Sequence, residues 1–512
     1  MALAKVNSCG FSGVDGYILN VEADIVAGLP GMDIVGLPDT AVKESKERIK
    51  SAVKNSGYSL PQKKIVINLA PANTKKEGVY LDFPISIAIL AASGQIPESS
   101  VEDSLLLGEL ALDGSLRYAH GVLPAAVAAR DMGVKRLFVP KENAAEASVV
   151  AGVEVYGAAS LSEAAAHFKG EKLIEPSATD ADNLFENSEG YDVDFCDVRG
   201  QEGAKRALEI AAAGGHNCLM IGSPGSGKTM LAKRLPTILP DLSFDEALEV
   251  TKIYSVAGKL PADIPLVTKR PFRSPHHTVS SVALTGGGSN PRPGEITLAH
   301  RGVLFLDEFP EFRKDAIEAM RQPIEDGQLT VSRVSGTAVF PSTVMLIASM
   351  NPCNCGYYGD PTRECTCSAG QIQKYLNRIS GPMLDRFDIH IEVAAVKYDE
   401  LSAKRSGETS ETIRRRVENA RRIQQERYKD YNIYCNAQLS ASLTEKFCQL
   451  NDDCQKILKA AFESLGMSAR AHSRILKVAR TIADLEGSED IEVKHLAEAI
   501  QYRSLDKKFW FN

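Results

Sequence analysis

No apolar run in this sequence is long enough to cross a bilayer: the longest, around Ile85 to Ala92, falls far short of the about 20 residues a spanning helix needs. The opening Met-Ala-Leu-Ala-Lys-Val-Asn lacks the apolar stretch of a secretion signal, so the expectation is a cytoplasmic protein without a membrane partner. A disulfide framework is missing too. Ten cysteines are dispersed, except for four packed between Cys353 and Cys367, the usage of a reducing compartment with a candidate metal site. No internal repeat is evident. Nor is there a surplus of positive charge: 59 Lys and Arg against 66 Asp and Glu give −7, which argues at face value against a surface coated for nucleic acid.

That deficit is local. Leu173 to Val198 carries eight acids (Glu175, Asp180, Asp182, Glu186, Glu189, Asp192, Asp194 and Asp197) and no Lys or Arg, and without it the balance is about +1. Low hydrophobicity and like charge predict an extended linker here. With 512 residues, roughly three domains are expected. The divisions fall at 1–171, an acidic linker 172–196, an α/β core 197–393 and an all-α unit 394–512.

In the first unit the alternation of Val21, Ala23 and Ile25 with Asn20, Glu22 and Asp24 predicts a half-buried strand over Tyr17 to Val26. Further strands are expected at Ile65 to Ala70, Leu105 to Leu112 and Arg136 to Val139. Helices are expected at Asp39 to Ser56, Asp82 to Ala92, Leu123 to Met132 and Ser160 to Phe168. The last opens on a Ser160/Glu163 capping pair. From Ala204 to Phe387 apolar strands alternate with helices, the pattern of a largely parallel sheet. Beyond about Val393 only helical stripes remain, such as Ile413, Val417, Ala420 and Ile423, or Ile475, Val478, Ala479 and Ile482.

The chemistry begins at Gly222-Ser223-Pro224-Gly225-Ser226-Gly227-Lys228-Thr229, a G-x-x-x-x-G-K-T loop between an apolar strand (Cys218 to Ile221) and helix-compatible sequence. Glycines let the backbone curl its N–H groups toward phosphates; Lys228 suits the β- and γ-phosphates and Thr229 suits Mg²⁺. Val303 to Leu306 is a second buried-strand run, ending in Asp307-Glu308. One carboxylate there would hold Mg²⁺ and the next would polarise water. Val344 to Ala348 leads to Asn351, whose amide could reach the γ-phosphate or the water, or could simply start a turn before Pro352. ATP and Mg²⁺ are thus the expected ligands.

These residues resemble an AAA+ ATPase of the magnesium-chelatase and MCM-like branch, and nearly the full length resembles the YifB/ComM family of bacterial magnesium-chelatase-like ATPases. The matching pieces are Asp197-Val-Arg-Gly-Gln201, Pro271-Phe-Arg-Ser-Pro-His-His277, Gly302 to Glu308, Asn351-Pro-Cys-Asn-Cys-Gly356 and Gly381-Pro-Met-Leu-Asp-Arg-Phe-Asp388. The resemblance implies that Arg386 is an arginine finger reaching a neighbour's ATP, and hence a homo-oligomeric ring, a hexamer. The plain alternative is a surface arginine paired to Asp385 or Asp388. It implies that Arg470, in preference to Arg474 one turn on, is the sensor coupling the helical lid to the γ-phosphate. It further implies an ATP-driven motor on branched or single-stranded DNA, with branch migration of recombination intermediates in natural transformation as its role. A chelatase-like or other protein-remodelling ATPase is the competing reading.

Two further features need separate reading. Cys353, Cys355, Cys365 and Cys367 could supply four thiolates to Zn²⁺ from one Gly/Asp/Pro-rich loop, or be free or redox-active thiols. The alternating stretches Leu329 to Arg333 and Thr337 to Phe340, turning at Ser335-Gly336, form a hairpin that in the MCM-like branch projects into a central pore. Arg333 near its tip is placed to touch a DNA phosphate, or else is an ordinary exposed arginine. His276 and His277 read as loop packing or hydrogen bonding in preference to metal ligands. Lys76 to Ser86 and Gly108 to Pro124 resemble the proteolytic domain of Lon proteases, an α/β unit of the ribosomal S5 domain 2 type. In that alignment Tyr80 and Leu123 stand where Lon needs a nucleophilic Ser and its Lys base, so a proteolytically dead scaffold is implied.

Overall fold

The computed structural model describes residues 2–72, 75–76, 78–186, 190–288, 291–333, 336–396, 407–431, 433–465 and 468–510. The N-terminal unit is built on an eight-stranded mixed sheet. Its strands are β1 (Ala2–Ser12), β2 (Asp15–Val26), β3 (Gly31–Val35), β4 (Lys64–Ala70), β5 (Ser104–Leu106), β8 (Arg136–Pro140), β9 (Glu154–Ala158) and β10 (Pro176–Ser177), with a small separate hairpin of β6 (Glu109–Leu110) and β7 (Leu116–Arg117). Their spatial order is β10-β9-β8-β5-β1-β2-β4-β3. In β2 the predicted alternation holds, Val21 and Ala23 lying fully inside. The expected strand over Leu105 to Leu112 breaks at Gly108, whose N–H donates to the Tyr80 carbonyl and turns the chain away. The helix Asp82–Ala92 forms where predicted and is buried on every side, as its near-continuous apolar sequence requires. Ser160 accepts from the Glu163 N–H, while the Glu163 carboxylate reaches Ala159 and not Ser160, so only half of the capping box forms.

The acidic segment departs from an extended linker. β10 adds to the sheet edge, Ala181–Glu186 is helical with Leu184 and Phe185 packed on the N-terminal core, and Phe195 and Val198 are buried in the next unit. Those scattered apolar side chains outweigh the repulsion of their acidic neighbours. Asp194 even uses its charge locally, accepting from the N–H groups of Cys196 (2.8 Å) and Ser410 (3.0 Å). Glu189 lies outside the described residues.

The second unit carries a five-stranded, wholly parallel sheet of β11 (Cys218–Ile221), β12 (Phe272–Arg273), β15 (Val303–Leu306), β18 (Met345–Met350) and β19 (Ile389–Glu392), in the order β12-β15-β18-β11-β19. β11, β15 and β18 are buried at every residue, the signature of a parallel sheet covered on both faces. Two hairpins project from it, β13 (Gly286–Gly287) with β14 (Arg292–Pro293) and β16 (Gln328–Arg333) with β17 (Gly336–Pro341). After β19 the described elements are helices and short 3₁₀ turns. Ser410–Arg427 and Ala469–Leu485 lie on the core helix Glu202–Gly214, sharing its hydrophobic cluster. Much of the arginine on Ser410–Arg427 is turned inward: Arg416 pairs with Glu209 and Glu408, Arg421 donates to the Ala212 carbonyl and Arg427 grips the buried Asp484. Among the described residues no helix is long and apolar enough to cross a membrane.

The first two units meet along the helix Phe244–Val256, where Leu242, Ala247, Leu248 and Val250 join the apolar cluster of the N-terminal sheet. The seam has a polar bolt. Buried Glu146 accepts from the Ser255 hydroxyl (2.5 Å), the Leu123 N–H (3.1 Å) and the Asn143 amide (3.0 Å), while Ser255 accepts from the Gly121 N–H (3.1 Å). Burial raises the Glu146 pKa against those three hydrogen bonds, which lower it. Removing a buried acceptor leaves its donors unsatisfied at about 1–3 kcal/mol. Glu146→Ala is accordingly expected to lower stability to urea by about that amount and to expose the seam to protease; an unchanged urea midpoint would contradict the bolt.

Candidate ATP site

All five core strands run the same way, so the sheet has a carboxyl edge and an amino edge. At the carboxyl edge β11 runs into Gly222–Thr229, β15 into Asp307 and β18 into Asn351. The loop turns through left-handed backbone at Gly225 (φ +79°) and Gly227 (φ +86°), conformations a side chain would strain. Lys228 starts the following helix, and its Nζ donates to the carbonyls of Gly222 (2.7 Å) and Ser223 (3.0 Å) and to Asn351 Oδ1 (3.3 Å). Thr229 Oγ1 donates to Asp307 Oδ2 at 2.7 Å. The structure therefore brings Lys228, Thr229, Asp307 and Asn351 to one point from three strands.

The donor set fits the expected ligands. A hydroxyl and a carboxylate in contact are hard oxygen ligands of the kind Mg²⁺ takes alongside phosphates, and the Lys228 ammonium is a buried cation in want of an anion. Burial pulls the Lys228 pKa down to about 8, while Asp307 and Glu308 act to raise it. Glu308 itself is held in the left-handed region (φ +53°), unusual for a residue with a side chain, and its carboxylate is exposed within 3.4 Å of His277 Nδ1. Such strain keeps Glu308 off the strand line and turned toward the open edge. His276 is engaged locally with Thr278.

Sequence reasoning missed several supports. The Ser349 hydroxyl donates to Asp307 Oδ1 and fixes the carboxylate from the neighbouring strand. Gln201, also in left-handed backbone (φ +59°), donates from Nε2 to the carbonyls of Ser226 and Ala394, tying the phosphate loop to the chain leaving β19. A strand-end Ser carries no pattern that would single it out, and Asp197–Gln201 stands out as a family motif with no role for Gln201 attached. His277, expected to serve loop packing or hydrogen bonding, has Glu308 as its polar partner, an identity that spacing could not reveal.

Arg386 and Arg470 lie elsewhere. Both sit at the amino edge of the sheet, the four residues of β11 (about 13 Å of strand) away from the phosphate loop. Asn217, just before β11, organises that edge: its Oδ1 accepts from the Leu346 N–H (2.8 Å) and its Nδ2 donates to the Arg386 carbonyl (2.9 Å). Arg386 is paired with Glu325, not with Asp385 or Asp388, and its Nε is buried without a hydrogen-bond partner among the described residues. Arg470 is exposed and 3.3 Å from Asp385, whereas Arg474 is largely buried between Asp385 (3.8 Å) and Asp388 (3.3 Å). Burial opposes the charge of Asp388, yet His216, Arg474 and Lys477 hold its pKa down to about 2. A cavity of about 1500 Å³ opens here, with Arg386, Arg474, Arg270, Arg301 and Lys477 in its wall. Arg470, beside Asp385, thus stands at the edge opposite its own chain's phosphate loop.

The four cysteines converge. Their Sγ atoms all lie within 4.8 Å of one another, with Cys353 3.3 Å from Cys355 and 3.6 Å from Cys365. The β16–β17 hairpin forms with Leu329 opposite Phe340 and Arg333 opposite Gly336, so Gly336 belongs to β17 and not to the turn expected at Ser335-Gly336, and Phe340 and Ala338 are buried against Val14 and Ile253. The Arg333 side chain and Ser335 lie outside the described residues. Tyr80 stacks edge-on against Phe11 at 5.3 Å, and Leu123 is buried.

The depressed Lys228 pKa sets a pH dependence. Below about pH 8 the ammonium is charged and attracts phosphate; above it, binding must first return the proton. Affinity for a fluorescent ATP analogue is expected to fall between pH 7 and pH 9, approaching about tenfold per pH unit at the upper end. A flat profile would overturn the assignment.

Three family models cover most of the chain: subunit ChlI of Mg-chelatase over residues 21–143, magnesium chelatase subunit ChlI over 194–401, and the ChlI C-terminal region over 407–503. A protein named YifB from Salmonella typhimurium is 45% identical over 99% of this chain and 98% of its own length. Competence protein ComM from Haemophilus influenzae is 44% identical with the same coverage, 99% and 98%. The chloroplastic magnesium-chelatase subunit ChlI of Oryza sativa subsp. indica is 23% identical over 55% of this chain and 67% of its own. On these full-length matches, and with the phosphate loop, Asp307 and Asn351 gathered at one sheet edge, the chain belongs to the YifB/ComM family of magnesium-chelatase-like proteins.

Proposed function

We propose that this protein is a ring-forming, Mg²⁺-dependent ATPase of the cytoplasm that moves on DNA and drives branch migration of recombination intermediates in natural transformation. The observation that carries the ring is the division of the sheet: the phosphate loop stands at one edge and Arg386 at the other, so a finger at Arg386 can serve only another copy of the chain. In this reading Lys228 and Thr229 hold the phosphates, Asp307 and Thr229 hold Mg²⁺, Glu308 orients the attacking water and Asn351 reads the γ-phosphate. Arg386 of a neighbouring copy stabilises the transferring phosphoryl group, with Arg470 or Arg474 beside it. Six subunits close the ring. Residues 1–171 act as a Lon-like scaffold without protease chemistry, 172–196 join it to the core, 197–393 form the motor and 394–512 its lid.

The DNA part rests on the likeness to competence protein ComM, on the near-neutral balance left once the acidic segment is set aside, and on the hairpin bearing Arg333. The weaker likeness to a chelatase subunit favours the alternative, a motor acting on protein. The four cysteines are proposed to hold one Zn²⁺.

ATPase rate with and without branched, single- and double-stranded DNA, at stated salt, separates the two substrates. Stimulation by DNA is expected, and none by any form would favour the protein-remodelling alternative. Lys228→Ala should abolish turnover. Arg386→Ala should keep ATP binding but lose hydrolysis by about 10³-fold or more, recovered in mixed rings where a Lys228→Ala subunit supplies the finger; unaltered turnover would refute the trans role. Arg333→Ala should lower DNA-stimulated turnover more than basal turnover, and an equal loss in both would remove the hairpin contact.

A further inference from the structure

The cysteine loop does more than follow Asn351 in sequence: it is seated on the phosphate loop. Gly356, in left-handed backbone (φ +86°), packs so closely on Pro224 that a Cβ there would lie 2.6 Å from the proline ring. Further along the loop the Asp360 carboxylate, held low by hydrogen bonds from Thr362 and Ser223, reaches the phosphate loop a second time. On its far side the cysteine loop is backed by the C-terminal helix Ser504–Phe509, with Tyr358 edge-on to Phe509 at 6.3 Å. Lys508 of that helix pairs with Glu392 at the end of β19. The loop is thus wedged between the nucleotide-binding turn and a helix anchored to the same sheet.

A wedge made of Gly, Asp and Pro has little apolar mass with which to hold its own shape. Most of its middle, Gly359 to Ser368, is half-exposed or exposed. What it has is the four thiols. Their spacings of 3.3, 3.5 and 3.6 Å approach the about 3.8 Å edge of a tetrahedron with metal–sulfur bonds of about 2.3 Å. The N–H groups of Tyr357 and Thr366 point at Cys355 Sγ, and that of Cys367 at Cys365 Sγ. Donors aimed at sulfur offset the charge a thiolate brings, the outer-shell support that metal sites use. An iron–sulfur cluster would need the thiolates spread around several metals and sulfides; four sulfurs this close enclose one ion.

We propose that a single Zn²⁺ bound by Cys353, Cys355, Cys365 and Cys367 is a brace for the ATP site, fixing the loop that holds Pro224 and Asn351 in place. This rests on the zinc assignment above and adds that occupancy of the sulfur site sets nucleotide affinity. Cys353 is two residues from Asn351, whose Oδ1 contacts Lys228, so the metal is tied to the lysine through one strand end and to the opposite side of the phosphate loop through Gly356. The phosphates are held there by charge-assisted hydrogen bonds, whose strength depends on geometry.

The test uses the full chain, purified without chelator or an affinity metal. Zinc per chain is measured together with the affinity for a fluorescent ATP analogue in the wild type, in a Cys365→Ser/Cys367→Ser double variant and in Gly356→Ala. The wild type should carry about one zinc. The double variant should lose it and bind the analogue about tenfold more weakly, the worth of about one misdirected hydrogen bond to a charged group. Gly356→Ala keeps all four thiols, so it should retain zinc while weakening the analogue several-fold by pushing the loop off Pro224. A zinc-free double variant that binds as the wild type does would overturn the brace and leave the zinc site standing, whatever Gly356→Ala does. A wild type without zinc would overturn the site itself.

Discussion

Parallel pairing of five short strands is the constraint from which the rest of the molecule follows. Because every strand of the core enters from the same side, groups that follow strands and groups that precede them cannot mix. Gly222–Thr229, Asp307 and Asn351 follow strands; Asn217, Arg386 and Asp388 precede them. The burial that makes the arrangement stable, with β11, β15 and β18 inaccessible along their whole length, also makes it rigid, so the two edges stay apart by the length of a strand. The cavity that holds Arg386 and Arg474 at one edge and the anion-seeking lysine at the other therefore open in opposite directions.

The chemistry at strand ends was legible in the sequence because it obeys spacing. A glycine-rich turn between strand and helix, or a buried run ending in two carboxylates, announces itself locally. The supports did not. Ser349 fixes Asp307 only because β18 pairs with β15, and Asn217 staples β18 to the approach of β19 only because β11 lies between them. Neither relation exists until the sheet is assembled. The position of Arg470 was illegible for the same reason: its neighbours on the helix Ala469–Leu485 are plain in the sequence, but the sheet edge that helix approaches is not.

Composition misled where it averaged. Eight acids in the segment after the first unit concealed Leu184, Phe185 and Phe195, each of which finds a core. β1 escaped notice because Ser8 and Gly10 interrupt its apolar alternation, yet Ser8 is wholly buried with its hydroxyl donated to the Leu106 carbonyl (2.9 Å). The lid arginines show the converse. Their number alone does not say what they contact, and in the structure Arg416, Arg421 and Arg427 are committed to Glu209, the Ala212 carbonyl and Asp484. Arg416 and Arg421 join the helical unit to the core, and Arg427 ties two helices of that unit together.

The hairpin of β16 and β17 is no free-standing arm. At its base Phe340 and Ala338 share a cluster with Val14 of the first turn of the N-terminal sheet, and Gly13 lies so close to the Val339 carbonyl that there is no room between them for one more methyl group. Asp15, in the same turn, pairs with Lys252 on the helix that bears Ser255. A load applied to the hairpin is therefore carried at its root into two units at once, as a cantilever is carried by the wall in which it is set. Tilting it requires either that the N-terminal sheet swing along or that the seam at Gly13 shear. The N-terminal unit thereby becomes the abutment against which any stroke of the hairpin is taken.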